Sequence, residues 1–275
     1  MIRIMLDSAS DGVDLHPYDH YVPLTVEIDG NSYLDGINLK PQKFYKLLAS
    51  SEIFPKTSQP SPEAFAEVFE TVKAAGDELV YLCLSSALSG TFQSATIAKE
   101  MVEYDGIYII DTRSATHMIG TLARYADKLR QQGLTAAEIV EKITALRERQ
   151  VLYAGLQTLE YLYKGGRLSR TSAAIGSVAN IKPIITVSEE GKVESFAKAI
   201  GIKRAIATIT KQVQQMQIDE NFPIWSLCSV DEENCEALEK AMEAIGHPVS
   251  GRMQVGPTIG AHVGPGVYGI AFVQK

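Results

Sequence analysis

Short apolar runs alternate with longer amphipathic stretches over the first 150 residues of the chain. The apolar runs have the length of buried strands and are followed by polar or turn residues: Ile2–Leu6, Glu78–Leu84 and Ile107–Ile110. The amphipathic stretches predict helices at Ser89–Tyr104, Thr116–Gln132 and Thr135–Arg149. Strands that alternate with helices are typical of a parallel sheet flanked by helices, so this half is predicted to be an α/β domain.

Turn residues add two local elements to this half. Asp29-Gly30 predicts a hairpin between Leu24–Ile28 and Asn31–Leu34. Ser61-Pro62 predicts the start of a helix, because Ser61 caps it and proline suits the first helical position.

The pattern changes near Gln150, beyond which strands no longer alternate regularly with helices. Strands are predicted at Val151–Leu156, Lys182–Val187, Lys192–Lys198, Ile224–Val230, Arg252–Val255 and Val267–Val273. Helices are predicted at Ala199–Gln217 and Asp231–Ile245. We therefore expect two domains, an α/β domain at 1–150 and an α+β domain at 151–275.

Composition and charge exclude several classes of function. The chain is 45% hydrophobic and 21% charged, with a net charge of −7. Without clustered lysine and arginine, nucleic acid is not an expected partner, and membrane contact is expected to be transient at most. No segment approaches the ~20 apolar residues of a membrane span, and Met1–Leu6 is too short for a signal peptide. Three cysteines without a C-x-x-C motif favour the reducing cytoplasm, with Cys83 as a buried thiol.

Hydroxyl side chains follow the predicted strands of the first half. The loop Ser85–Thr91 joins a strand to a helix, where unpaired N–H groups and the positive end of the helix dipole favour an anion. Ser89, Gly90 and Thr91 therefore predict an anion site, and a simple helix cap is the alternative. The segment Thr57-Ser58-Gln59-Pro60 is either a rigid loop that directs hydroxyls at a ligand or a linker that caps the next helix.

Two further segments carry candidate binding residues. Gly165-Gly166 predicts a helix end, after which Arg167 is placed to pair with a carboxylate or with a structural partner. His262 lies in Gly256–Gly266, where glycines and prolines predict a series of tight turns close to a ligand.

Motifs for nucleotide binding, serine hydrolysis and zinc proteolysis do not occur in the sequence. Acidic and histidine residues also lack the spacing of metal ligands. We therefore expect a binding protein with no catalytic residue, metal or cofactor. The alternative is an enzyme that acts on a small phosphorylated or carbonyl substrate through Ser89 or His262.

The ordered motifs resemble the DegV family of fatty-acid-binding proteins over nearly the whole chain. The resemblance rests on Thr57-Ser58-Gln59-Pro60, Ser85–Thr91, Asp111-Thr112, Gly165-Gly166-Arg167, Ile181-Lys182-Pro183 and Gly260–Gly266. It implies a two-domain fold with a long-chain fatty acid between the domains. It also implies that Thr57 and Ser89 bind the carboxylate, with Ser86 as the second choice of serine, and that His262 and Arg167 lie nearby. The flanking Ser58, Gly90 and Thr91 complete the candidate site.

Some bacterial members of this family are the acyl-binding subunits of a fatty-acid kinase, whose separate subunit supplies ATP. The resemblance therefore implies a kinase subunit as a partner. Kinase-associated members tend to carry an arginine in the loop after the central hairpin. Here Ile200 occupies that place within Lys198–Gly201, which predicts weaker docking unless Lys203 and Arg204 compensate.

Overall fold

The computed structural model describes residues 1–168, 180–230 and 232–275. The strands in these residues are β1 (Ile2–Asp7), β2 (His20–Val22), β3 (Thr25–Ile28), β4 (Asn31–Leu34), β5 (Lys56–Ser58), β6 (Glu78–Cys83), β7 (Ile107–Asp111), β8 (Gln150–Gly155), β9 (Ile181–Val187), β10 (Val193–Ile200), β11 (Trp225–Cys228), β12 (Gly251–Gln254) and β13 (Tyr268–Val273). The α-helices are α1 (Pro41–Ser50), α2 (Pro62–Ala74), α3 (Thr91–Val102), α4 (His117–Gln131), α5 (Ala136–Arg147), α6 (Glu160–Lys164), α7 (Ile202–Val213), α8 (Glu232–Ala244) and α9 (Pro257–Val263).

The first half contains a parallel sheet with the strand order β2-β1-β6-β7. Side chains alternate across the strands, so Ile4 and Leu6 pack against α4 and α5, while Met5 packs against α2 and α3. The predicted parallel sheet flanked by helices is confirmed. Strand β2 is not predicted from the sequence, because three residues are too few to show a period.

The second half contains a mixed sheet with the strand order β10-β9-β8-β13-β11-β12. Its neighbours are antiparallel except for β11 and β12. Helices α7 and α8 cover one face, and the other face packs against α6, α9 and the start of α4. The predicted α+β character is confirmed. The domain boundary at residue 150 stays a prediction, although each large sheet takes its strands from one side of it.

A small antiparallel sheet with the order β4-β3-β5 adjoins α1 and α9. It contains the predicted hairpin, in which Asp29 and Gly30 both have positive φ. The third strand, β5, holds Thr57 opposite Val26. The segment predicted as a rigid loop therefore begins as a strand.

Two predicted elements differ from the structure. The predicted helix start at Ala199 is wrong, because β10 continues to Ile200 and Gly201 turns the chain with a φ of 80° before α7. The predicted series of turns at Gly256–Gly266 is also wrong, since α9 occupies its centre. Pro257 opens this helix, and Gly264 ends it with a φ of 75°. Asp231, the predicted start of the next helix, lies outside the described residues.

The cysteines follow the prediction in part. Cys83 is buried with a free thiol, as predicted. Cys228 on β11 and Cys235 on α8 lie with their sulfur atoms within bonding distance, which no motif in the sequence predicts. Among the described helices, none has the length and apolar character required to cross a bilayer.

A buried aromatic cluster joins α4 to the mixed sheet. The His117 ring lies 4.4 Å from the His16 ring and 4.5 Å from the Trp225 ring, measured between centroids. Neither ring nitrogen of His117 has a hydrogen-bond partner among the described residues. Burial lowers the pKa of His16 to about 4 and that of His117 to about 2. Both imidazoles are therefore neutral in the folded protein near neutral pH.

We expect His117→Phe to make the protein less sensitive to acid. Below pH 6.5, the ordinary pKa of histidine, the unfolded chain binds a proton at His117 that the folded chain does not. Acid therefore destabilises the wild type through this residue. The free energy of unfolding of the variant minus that of the wild type should therefore increase as the pH falls. The increase should be at most about 1.4 kcal/mol per pH unit, from pH 6.5 down to about pH 4.5.

Denaturant unfolding at several pH values measures this difference. His247→Phe, which alters a histidine outside the cluster, is the control. A difference between His117→Phe and the wild type that stays constant from pH 7 to about pH 4.5 would contradict the burial of a neutral imidazole.

Candidate functional site

An apolar cavity with a cluster of polar side chains is lined by residues from both sides of residue 150. Its apolar lining consists of Leu24, Leu84, Leu88, Ala115, Leu162, Val193, Ile259 and Val263. Its polar lining consists of Thr57, Ser89, Arg167, Thr258 and His262. The volume is about 60 Å³, against roughly 300–1,000 Å³ for pockets that enclose a whole drug-sized ligand. The cavity therefore fits a small polar group with a few carbon atoms.

Thr57 reaches the cavity because of the alternation of side chains along β5. Its hydroxyl lies 2.7 Å from Nε2 of His262. The next residue, Ser58, points to the opposite side and is exposed. The structure thus brings Thr57 to the cavity and leaves Ser58 outside it.

Ser89 is the serine of the Ser85–Thr91 loop that lines the cavity. Its Oγ lies 2.8 Å from Oγ1 of Thr91, which is buried and outside the lining. Gly90 is the N-cap of α3, and a side chain there would collide with Gln59. Gly90 therefore contributes by allowing the Gln59 side chain to approach the start of α3.

Ser86 faces away from the cavity. Its hydroxyl donates to a carboxylate oxygen of Asp111 at 2.5 Å, and its backbone N–H donates to the same carboxyl group at 3.2 Å. Ser86 is exposed at the edge of the parallel sheet. Of the two serines that the sequence offered for the carboxylate, Ser89 alone lines this cavity.

Arg167 provides a positive charge beside the cavity. Its guanidinium donates to the carbonyl oxygens of Leu88 at 3.0 Å and Gly165 at 2.5 Å. No carboxylate of the described residues lies within ion-pair distance of it, and burial lowers its pKa. The charge of Arg167 is therefore available to an anion.

His262 lies between Thr57 and Arg167. Its Nδ1 is buried beside Gly165, where a side chain would collide with it, and has no hydrogen-bond partner among the described residues. Burial, together with the Arg167 charge, lowers the pKa of His262 to about 4. The imidazole is thus neutral at pH 7, and the guanidinium is the cationic group of the cavity lining.

Thr258 and the apolar residues around it are not predicted by the sequence patterns. Thr258, Ile259, His262 and Val263 form one stripe of α9 that lines the cavity. Their spacing is that of a helix face, but the glycines and prolines on both sides indicated turns instead. A helix of seven residues is too short to show its period in the sequence.

This fold and cavity define an α/β protein built on two large sheets, with a hydroxyl-lined cavity and, among the described residues, one cation beside it without an acidic partner. The chain belongs to the DegV family. The family model, described as "Uncharacterised protein, DegV family", matches residues 1–275.

Several relatives are similar over their whole length. A DegV domain-containing protein of Caldanaerobacter subterraneus is 38% identical, with 100% of this chain and 99% of that protein covered. A DegV family protein of Thermus thermophilus, whose structure is described as fatty-acid binding, is 31% identical, with coverage of 100% and 99% and a TM-score of 0.89. A fatty-acid-binding DegV family protein of Streptococcus agalactiae is 27% identical, with the same coverage and a TM-score of 0.90.

We expect Arg167→Met to raise the pKa of His262. The guanidinium opposes protonation of the imidazole, so its removal leaves burial as the remaining cause of the low value. The pKa should rise from about 4 and stay below the ordinary 6.5.

Titration of the His262 imidazole by NMR in the ligand-free protein measures this shift. Lys164→Met, which removes a cation paired with Glu160, is the matched control and should leave the titration unchanged. A pKa of His262 that is the same in Arg167→Met and the wild type would mean that the two side chains do not interact.

Proposed function

We propose that this protein binds one long-chain fatty acid. Its carboxylate lies among Thr57, Ser89, Arg167 and His262, and its hydrocarbon chain lies between domains formed by residues 1–150 and 151–275. The observation that carries the proposal is the Arg167 guanidinium, which has no carboxylate partner among the described residues, beside a largely apolar cavity that three hydroxyl side chains and one imidazole also line. The protein is a non-catalytic carrier that acts in the cytoplasm.

The head group of a fatty acid needs the donors that this cavity supplies. A carboxylate in a poorly hydrated cavity is strongly destabilised unless hydrogen bonds and an opposite charge replace its water. Thr57 and Ser89 provide hydroxyl donors, and Arg167 provides the charge. The Thr57 hydroxyl keeps its hydrogen for the carboxylate in the His262 tautomer whose Nε2–H donates to Oγ1 of Thr57, and this contact orients the hydroxyl.

The hydrocarbon chain requires more room than a cavity of about 60 Å³ offers. Leu162 and Val263 line the cavity and also belong to the apolar core on the inner face of the mixed sheet. An acyl chain that displaces such contacts gains about 0.8 kcal/mol for each buried CH₂ group, on the order of 10 kcal/mol in total. This gain offsets the cost of repacking a few apolar side chains.

The relatives support this proposal. The structures from Thermus thermophilus and Streptococcus agalactiae are both described as fatty-acid binding. A further structure, from Eubacterium ventriosum, is described as stearic-acid binding and is 25% identical, with a TM-score of 0.88. Because these similarities extend over essentially the whole chain, the same ligand class is the simplest proposal for this protein.

We expect Thr57→Val and Ser89→Ala each to weaken fatty-acid binding at least several-fold. Each variant removes a hydroxyl donor to a charged group, and such a hydrogen bond contributes roughly 1.5–3 kcal/mol. Neither change alters side-chain volume much, so the fold should persist.

The test begins with mass spectrometry of solvent-extracted protein, followed by palmitate titration of delipidated protein. Ser58→Ala and Ser86→Ala are matched controls, since both remove a hydroxyl from the same two segments outside the cavity. Absence of extracted lipid together with an unchanged melting temperature in palmitate would refute the carrier function. Equal palmitate affinities in all four variants would refute the assignment of Thr57 and Ser89 to the head-group site but would leave the carrier function standing.

The second part of the proposal concerns a partner protein, a fatty-acid kinase subunit. We propose that a separate ATP-binding subunit phosphorylates the bound carboxylate. Ile200 is the last residue of β10, with 60% of its surface exposed. Lys198 is exposed on the same face of β10, and Lys203 and Arg204 are exposed in the first turn of α7. These three cations form a basic surface next to Ile200 that suits an acidic partner.

We expect Ile200→Arg to increase acyl-phosphate production by a fatty-acid kinase subunit with ATP. An added cation on this basic surface raises the rate of association with an acidic partner. Production is measured at fixed subunit concentrations, with Ile200→Gln as the polar, uncharged control. Full activity of the wild type, with no change in Ile200→Arg, would show that this position does not govern docking.

A further inference from the structure

Two buried carboxylates meet the start of α9, the helix that carries His262. Oδ1 of Asp11 accepts a hydrogen bond from the Gly256 backbone N–H at 2.9 Å. Oδ2 of Asp35 accepts one from the Thr258 backbone N–H at 2.9 Å. The residue between them, Pro257, has no N–H to offer. Two of the donors at this helix start are thus bound by side chains from the other half of the chain.

Neither carboxylate forms an ion pair with any of the described residues. Both side chains belong to residues that are 3% exposed, and no lysine, arginine or histidine of the described residues lies within ion-pair distance of them. Burial raises the pKa of Asp35 to about 6 and raises that of Asp11 as well. The hydrogen bonds from Thr258 and Gly256 favour the ionised form and so oppose these rises. The pKa of each carboxyl group therefore depends on its contact with α9.

The surroundings hold these carboxyl groups in place. The Thr116 hydroxyl donates to Oδ2 of Asp11 at 2.6 Å, and Asp11 itself has a φ of 48°, a strained value for a residue other than glycine. The Tyr21 hydroxyl donates to the Asp35 backbone carbonyl at 2.9 Å. Two buried carboxyl groups and one strained backbone destabilise the fold unless other contacts compensate, and the hydrogen bonds from α9 supply that compensation.

Helix α9 in turn places four residues of the cavity wall. Thr258 and Ile259 lie in its first turn, next to the two carboxylates, and His262 and Val263 lie in its last turn. A helix of seven residues is a short rigid rod, so its start determines where His262 meets Thr57. A shift of the start by about 1 Å moves the whole stripe relative to β5.

We propose that Asp11 and Asp35 are positioning residues for the fatty-acid head group, which act by anchoring α9 so that His262 reaches Thr57. This inference rests on the proposed function for its ligand, but its geometric part is independent of any ligand. It predicts that loss of the hydrogen-bond acceptor, and not loss of the charge, is what damages the site.

The experiment compares Asp35→Asn, which keeps an oxygen for the Thr258 N–H, with Asp35→Ala, which removes it. Asp35→Ala should weaken palmitate binding by about tenfold, and Asp35→Asn by no more than about twofold. In a His262→Ala background, Asp35→Ala should weaken palmitate binding by less than about twofold, because His262, the residue through which Asp35 acts, is already absent. Asp77→Ala removes a buried carboxylate far from α9 and controls for general destabilisation.

The NMR signals of the His262 imidazole in ligand-free protein provide a readout that needs no fatty acid. They should change in Asp35→Ala and match the wild type in Asp35→Asn and Asp77→Ala. Unchanged signals in Asp35→Ala, or full additivity with His262→Ala, would overturn the positioning role. If the wild type binds no palmitate, the proposed function fails, while the imidazole signals still decide whether Asp35 positions α9.

Discussion

The hydrogen bond between Thr57 and His262 is the contact on which the cavity depends. It joins residues 205 positions apart, one held in a three-stranded sheet and the other in the last turn of α9. Both elements are too small to be stable alone, so their relative position comes from what surrounds them. Tyr45 on α1 donates to the Val255 carbonyl at 3.1 Å, and the carboxylates of Asp11 and Asp35 bind the start of α9. The polar wall of the cavity is therefore set by buried polar contacts around α9.

The electrostatics of this wall follow from Arg167, the one lysine or arginine in the described cavity lining, in a chain of net charge −7. Arg167 is held by carbonyl oxygens, which orient the guanidinium without neutralising it. Burial of His262, together with the Arg167 charge, lowers the pKa of the imidazole and keeps it neutral at pH 7. A neutral imidazole beside a hydroxyl and a guanidinium suits a group with one negative charge, because a second cation would have to be desolvated as well.

Sequence patterns predict the parallel sheet well, because β1, β6 and β7 are apolar runs with polar ends. Together with the family resemblance, they lead to Thr57, Ser89, Arg167 and His262, which the structure brings to one cavity. They fail where tertiary contacts decide. The choice between Ser86 and Ser89 depends on Asp111, an acceptor on a neighbouring strand.

The same limit applies to α9 and to the end of β10. The glycines and prolines of α9 are equally compatible with turns, and the carboxylates that stabilise the helix start lie more than 200 positions away. At Ala199–Ile200 the residues favour a helix as much as a strand, and pairing with Ile181 and Lys182 decides for the strand. In both cases the deciding partner lies outside the segment itself, so the local period of the segment does not report it.

The ionisation state of a bound fatty acid reports whether Arg167 and the hydroxyl side chains hold its carboxylate. Palmitate labelled with ¹³C at its carboxyl carbon gives an NMR signal whose shift reports the charge of the head group. If Arg167 and the hydroxyl donors hold the head group, the bound carboxyl group stays ionised below the pKa of about 4.3 that is ordinary for a carboxyl group, and Arg167→Met raises the pKa of the bound group. A bound carboxyl group that is protonated at neutral pH, or a titration indifferent to Arg167→Met, would contradict this arrangement.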